Sequence, residues 1–136
     1  MPVKLVLDLN VIEVPTADLV GEQLAWAVGK AEGLDVRLAP PGYNGVPWRV
    51  FARYTGEVTI RDVRYDPHEN WALAGGLIRK HKISLHAPQH GSDCWAAWKT
   101  TDDNDVVMGG ATETIAACAV VVSVALGDTV QVPKEP

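Results

Sequence analysis

Along the first third of the chain the spacing of apolar positions changes period. From Val3 to Leu9 they fall on odd positions (Val3, Leu5, Leu7, Leu9) and from Ile12 to Val14 on even ones, which predicts a strand whose phase slips through a bulge near Asn10. Val20, Leu24, Ala27, Val28 and Ala31 then recur at helical spacing, so a helix is expected between a cap at Thr16 and a stop at Gly33, with Trp26 on the flank of its stripe. Pro40 to Pro47 (PPGYNGVP) holds three prolines and two glycines and reads as a loop. WRVFARYT and EVTIRDVRY alternate in β fashion around Thr55-Gly56, predicting a hairpin with one cationic, aromatic face and one packing face.

The pattern then shortens. Asp66 as N-cap, Pro67 at N1 and Glu69 at N3 predict a helix start. Each glycine of Gly75-Gly76 costs a helix interior about 1 kcal/mol relative to alanine, so a break is expected there, giving a short broken helix with Trp71 anchored onto the core near Ile78 and Ile83. A strand from Lys82 to Ala87, a turn from Pro88 to Asp93, a strand from Cys94 to Thr100 and an acidic loop from Thr101 to Asp105 follow. Ile115, Ala119, Val122 and Leu126 make a last helical stripe, stopped by Gly127 before a strand from Thr129 to Val132. The expected fold is α+β: one globular domain over residues 1–136, with an antiparallel sheet of about four to five strands, two main helices and the short broken one.

Charge changes the picture in the middle. The chain of 136 residues carries a net −5, which argues against a nucleic-acid binder, because that affinity comes from Lys and Arg neutralising phosphates. Residues 34–82 nevertheless hold eight of the twelve Lys and Arg against five acids, a local +3, which suits a small anionic ligand. No secretory signal is apparent at MPVKLVLDLN, so a cytoplasmic setting is expected. The longest apolar run, Ala116 to Leu126, falls short of the ~18 to 20 residues that span a bilayer.

The candidate chemistry is sparse. His81, His86, His90 and Cys94 supply zinc-type ligands at a spacing that matches no closed structural site, and no metal or other cofactor is expected. Cys94 beside His90 lacks the rest of a nucleophile motif, and Cys118 reads as core. No phosphate-binding or dinucleotide-binding glycine pattern is present, so no enzyme activity is expected. Five tryptophans against one phenylalanine point toward stacking, and arginine adds a planar fork for phosphate or carboxylate. Trp48, Arg49, Arg53 and Arg79 are therefore the candidate ligand-binding residues.

Four segments together carry a resemblance. They are TADLVGEQLAWAVGKAEG, NWALAGGLIRKHKISL, Trp95 with Ala97, and GATETIAACAVVVSVALGDTVQVP, and in order and spacing they resemble the NinX-like family of phage proteins. The resemblance covers most of the chain outside residues 34–64 and implies a phage-encoded accessory protein acting in the bacterial host cytoplasm, without naming a reaction. Similar proteins carry an arginine and an aromatic residue where this chain has Ala119 and Val121. The last helix is thereby apolar on nearly every side, which predicts a homo-oligomer with that helix in the interface. Two functions are expected from these readings: sequestering a small anionic, nucleotide-like host molecule as a counter-defence sponge, or inhibiting a host protein through an acidic surface at Asp102, Asp103 and Asp105.

Overall fold

The computed structural model describes residues 11–39 and 49–134. The expected strand from Val3 to Leu9, the bulge near Asn10, the loop from Pro40 to Pro47 and the candidate residue Trp48 lie outside them. In chain order the elements are β1 (Val11–Pro15), a 3-10 turn (Thr16–Asp18), α1 (Gly21–Ala31), β2 (Val36–Ala39), β3 (Arg49–Thr55), β4 (Ile60–Arg64), α2 (Trp71–His81), β5 (Ser84–His86), β6 (Trp95–Thr100), β7 (Asp105–Gly110), α3 (Glu113–Leu126) and β8 (Thr129–Pro133).

The fold is α+β, but the expected single sheet is replaced by three small antiparallel ones: β1 with β8, β2-β3-β4, and β5-β6-β7. The reason lies in how α3 is covered. Eight of its fourteen residues are buried, Thr114 and the unbroken run from Ala116 to Val122. β6 and β7 pack on one side of it, α1 and α2 on others, and β8 and the 3-10 turn close the remainder. The β2-β3-β4 sheet packs instead on α1, through Val36, Leu38, Val50 and Ala52. Each set of strands covers a different helix face, so no set can extend into another. The apolar circumference of α3 is thus accounted for within one chain, and only its last turn is open, at Val124 and Leu126.

Local chemistry explains the element ends. α1 begins at Gly21 after Val20, with no side-chain cap; Thr16 belongs instead to the 3-10 turn, where its hydroxyl donates to the Gly127 carbonyl at 2.6 Å. It ties the 3-10 turn to the residue that ends α3. The expected stop holds, with Gly33 at φ +73. α2 is capped by Asn70 rather than Asp66: the Asn70 side-chain oxygen accepts from the Ala72 and Leu73 N–H groups at 3.0 and 3.3 Å. Asp66 caps a preceding turn, its carbonyl accepting from the Glu69 and Asn70 N–H groups. The expected break is also absent, because α2 runs unbroken through Gly75-Gly76. Trp71, expected in the core, is 55% exposed at the first position of α2.

Candidate functional site

The β2-β3-β4 sheet presents two unlike faces. Along β3, Val50 and Ala52 are buried against α1, so Arg49, Phe51 and Arg53 share the opposite, half-open face. Cross-strand register enlarges this set. Arg37 of β2 and Arg64 of β4 both stand opposite Phe51, while Asp62 stands opposite Arg53 and Ala39 opposite Arg49. Opposed residues of an antiparallel pair lie on one face, so four arginines gather around the Phe51 ring. Arg79 is not among them: it is exposed on α2, which packs chiefly on α3.

The guanidinium groups are unequally committed. Arg37 donates to both carboxylate oxygens of Asp35 at 3.0 and 3.2 Å, and Arg53 to both of Asp62 at 2.7 and 3.0 Å. These hydrogen bonds hold both carboxyl groups below their ordinary range, Asp35 through Arg37 and Asp62 through Arg53. Arg64 spends its fork on the Val50 and Tyr65 carbonyls at 3.0 and 3.1 Å and on Glu22 Oε2 at 2.7 Å. Arg49 makes no side-chain hydrogen bond or ion pair among the described residues. Of the four arginines on this face it is the one whose donors are unengaged among the described residues.

A polar knot beneath Arg64 fixes the sheet to the helices. Glu22, in the first turn of α1, accepts from the Val50 N–H at 2.8 Å with one oxygen and from Arg64 with the other. His68 Nε2 lies 3.7 Å from the same oxygen and 4.0 Å from Glu69. The His68 carbonyl accepts from the Thr114 hydroxyl of α3 at 2.6 Å, while its buried Nδ1 has no hydrogen-bond partner. Burial pushes the His68 pKa down, against the pull of Glu22 and Glu69, so the ring is neutral at pH 7. A neutral imidazole without a hydrogen-bonded partner is an anchor here rather than a poised base. Sequence spacing gives no sign of this knot, because Glu22 and Arg64 are 42 residues apart.

The remaining candidates are dispersed. His81 Nε2 and Lys80 Nζ meet Glu32 at 2.9 and 3.0 Å, joining the last turns of α1 and α2. Burial would raise the Glu32 pKa, but the hydrogen bonds from Lys80 and His81 outweigh it and the carboxyl group sits low. His86, His90 and Cys94 are exposed, and among the described residues no three His, Cys, Asp or Glu side chains are gathered so as to hold a metal. Cys118 is buried, which pushes its thiol up to about 12. Asp102, Asp103 and Asp105 are exposed where β6 turns into β7. No described helix is long and apolar enough to cross a membrane.

The model of the family described as Bacteriophage P22, NinX matches residues 15–124, from the end of β1 to the last turn of α3. No curated protein matches the chain.

Proposed function

The chain belongs to the NinX family of phage proteins, and from that premise we propose that it is a non-catalytic accessory protein of the infected bacterial cell. It holds a small anionic, nucleotide-like host molecule on the arginine face of the β2-β3-β4 sheet, and so withdraws that molecule from host signalling. The observation that supports this reading is the convergence of Arg37, Arg49, Arg53 and Arg64 around Phe51, with the Arg49 fork unengaged among the described residues. A phosphate takes a planar guanidinium fork, and a base takes an aromatic or guanidinium face. Phe51 and its flanking arginines offer both within one sheet face.

Calorimetric titration with mononucleotides, cyclic dinucleotides and ADP-ribose derivatives tests the reading. At least one member of the panel is expected to bind, and Arg49→Ala to weaken that binding by about 1.5 to 3 kcal/mol, the scale of hydrogen bonds to charged groups. Heating protein pre-incubated with host lysate should release the bound molecule unaltered, as an enzyme would not. Flat traces across the panel would favour the second reading, inhibition of a host protein. That reading draws on the exposure of Asp102, Asp103 and Asp105 beside Val107, which is 61% exposed. Its mark is a host protein retained by the wild type and lost on Asp102→Asn/Asp103→Asn.

A further inference from the structure

We infer that the arginine face selects an anion with one phosphoryl group, a nucleoside monophosphate rather than a di- or triphosphate or a dinucleotide; the inference rests on that face being the ligand site. Asp35 and Asp62 set the limit, because each occupies a guanidinium fork that a second phosphoryl group would need.

Charge matching carries the inference. Arg37 is matched by Asp35 and Arg53 by Asp62, each through both carboxylate oxygens, and Arg64 by Glu22 at 2.7 Å with a second carboxylate, Glu69, at 3.9 Å. The hydrogen bonds that hold Asp35 and Asp62 below the ordinary carboxyl range keep both charged at pH 7. Arg49 is then the one cation of the face without a matching acid among the described residues. The chain leading into it adds no other, since residues 40–48 include no Lys, Arg, Asp or Glu. One fork is open, and it carries one positive charge.

Register shows what a second phosphoryl group would meet. Arg37 stands opposite Phe51 and Ala39 opposite Arg49, so Arg37 lies diagonal to Arg49, about 7 to 8 Å away, a spacing that long side chains bridge. A ligand held by Arg49 reaches that fork only by displacing the Asp35 carboxylate. Asp35 is two residues before Arg37 in the chain and stays beside the incoming charge, so one bidentate pair is exchanged for another and a like charge is added next to it. Arg53 is farther off, beyond Phe51 along β3, and is held by Asp62 in the same way. Arg64 is turned to Glu22 of α1 and to the Val50 and Tyr65 carbonyls. A single phosphoryl group on Arg49, with its base on Phe51, is seated without breaking any of these pairs.

Calorimetric titration with the mono-, di- and triphosphates of adenosine and of guanosine tests the limit. At least one monophosphate is expected to bind, and its di- and triphosphate to bind no more tightly. Asp35→Asn removes the charge that holds Arg37, from an exposed position, and should raise affinity for the diphosphate about tenfold relative to the monophosphate, the scale of one added hydrogen bond between charged groups. Adding Arg37→Ala to Asp35→Asn should abolish that gain, and a gain that survives it overturns the inference. Wild-type affinity that rises with each phosphoryl group and is lost in Arg49→Ala overturns the inference while leaving the ligand site in place. Binding of a cyclic dinucleotide or an ADP-ribose derivative, with no monophosphate bound, does the same. Flat traces for every nucleotide remove the ligand site and the inference together.

Discussion

Two Gly-Gly pairs occupy opposite situations in this molecule. At the end of β7, a Cβ on Gly110 would meet the Ala116 backbone nitrogen at 2.6 Å and one on Gly109 would meet Cys94 Sγ at 2.8 Å. In α2, a Cβ on Gly75 or Gly76 would meet nothing within 4 Å. Neither pair adopts a positive φ, so the contrast is one of space. On β7 the missing side chains let a strand lie against the first turn of the central helix. On α2 they leave an open surface. The same dipeptide is required by packing in one region and unexplained by it in the other, so glycine identity by itself marks neither a chain break nor a site.

The largest expected effect tests the crowded pair. Gly110→Ala should destabilise by about 2 to 3 kcal/mol, the upper part of the range for overpacking, because the obstructing atom is helix backbone that cannot move alone. Gly109→Ala should cost less, since the exposed Cys94 side chain can rotate away. Denaturant melts decide both, and equal small losses at the two positions would remove the contrast.

Next in size is the mooring of the segment that leads into α2. Thr114→Val leaves the buried His68 carbonyl without its 2.6 Å donor and should cost about 1 to 2 kcal/mol. The same segment sets a pH dependence. Because burial lowers the His68 pKa, the folded state takes up its proton at lower pH than the unfolded chain, whose histidine titrates near about 6.5. The stability conferred by the neutral ring is therefore complete above that pH and declines as pH falls through it toward the folded pKa. Melts recorded from neutral to mildly acid pH should show this decline in wild type and a shallower one in His68→Gln.

Smaller, and opposite in sign, is the effect at the open pair. Gly75→Ala and Gly76→Ala should each stabilise by up to about 1 kcal/mol, the helix-propensity difference with no packing term against it. A loss at either position would mean that the α2 surface is more crowded than the described residues make it.

The same contrast separates what the sequence revealed from what it concealed. α1, α3, the β3–β4 hairpin and β8 were legible because each has an uninterrupted period of its own: Leu24 to Val28, Ala116 to Val122, and the alternation from Arg49 to Thr55. β2 and β7 were not, because four residues of Val36–Ala39 and the glycine-ended DVVMGG carry too little pattern to stand out from loops. The supposed break at Gly75-Gly76 gave propensity too much weight. The Asn70 cap and the packing of Ala74 and Leu77 carry the helix across two unfavourable residues. At the candidate site, Arg49 and Arg53 could be placed on one face from alternation alone. Arg37 and Arg64 could not, since they join Phe51 through strand register, and the Glu22–Arg64 contact depends on tertiary packing.

The smallest expected effect belongs to Trp71, and it sharpens the contrast most directly. A tryptophan anchoring α2 to the core would cost about 3 to 5 kcal/mol on truncation, as large aromatic side chains in cores do. Trp71 is instead 55% exposed and one turn before Gly75, on the open side of the helix, while Ala74 and Leu77 make the buried contacts. Trp71→Ala should therefore lose less than about 1 kcal/mol in a denaturant melt, as surface substitutions do. A loss of core size would show that the α2 surface is covered in solution, and would place Gly75-Gly76 with Gly109-Gly110 as glycines held by a close neighbour.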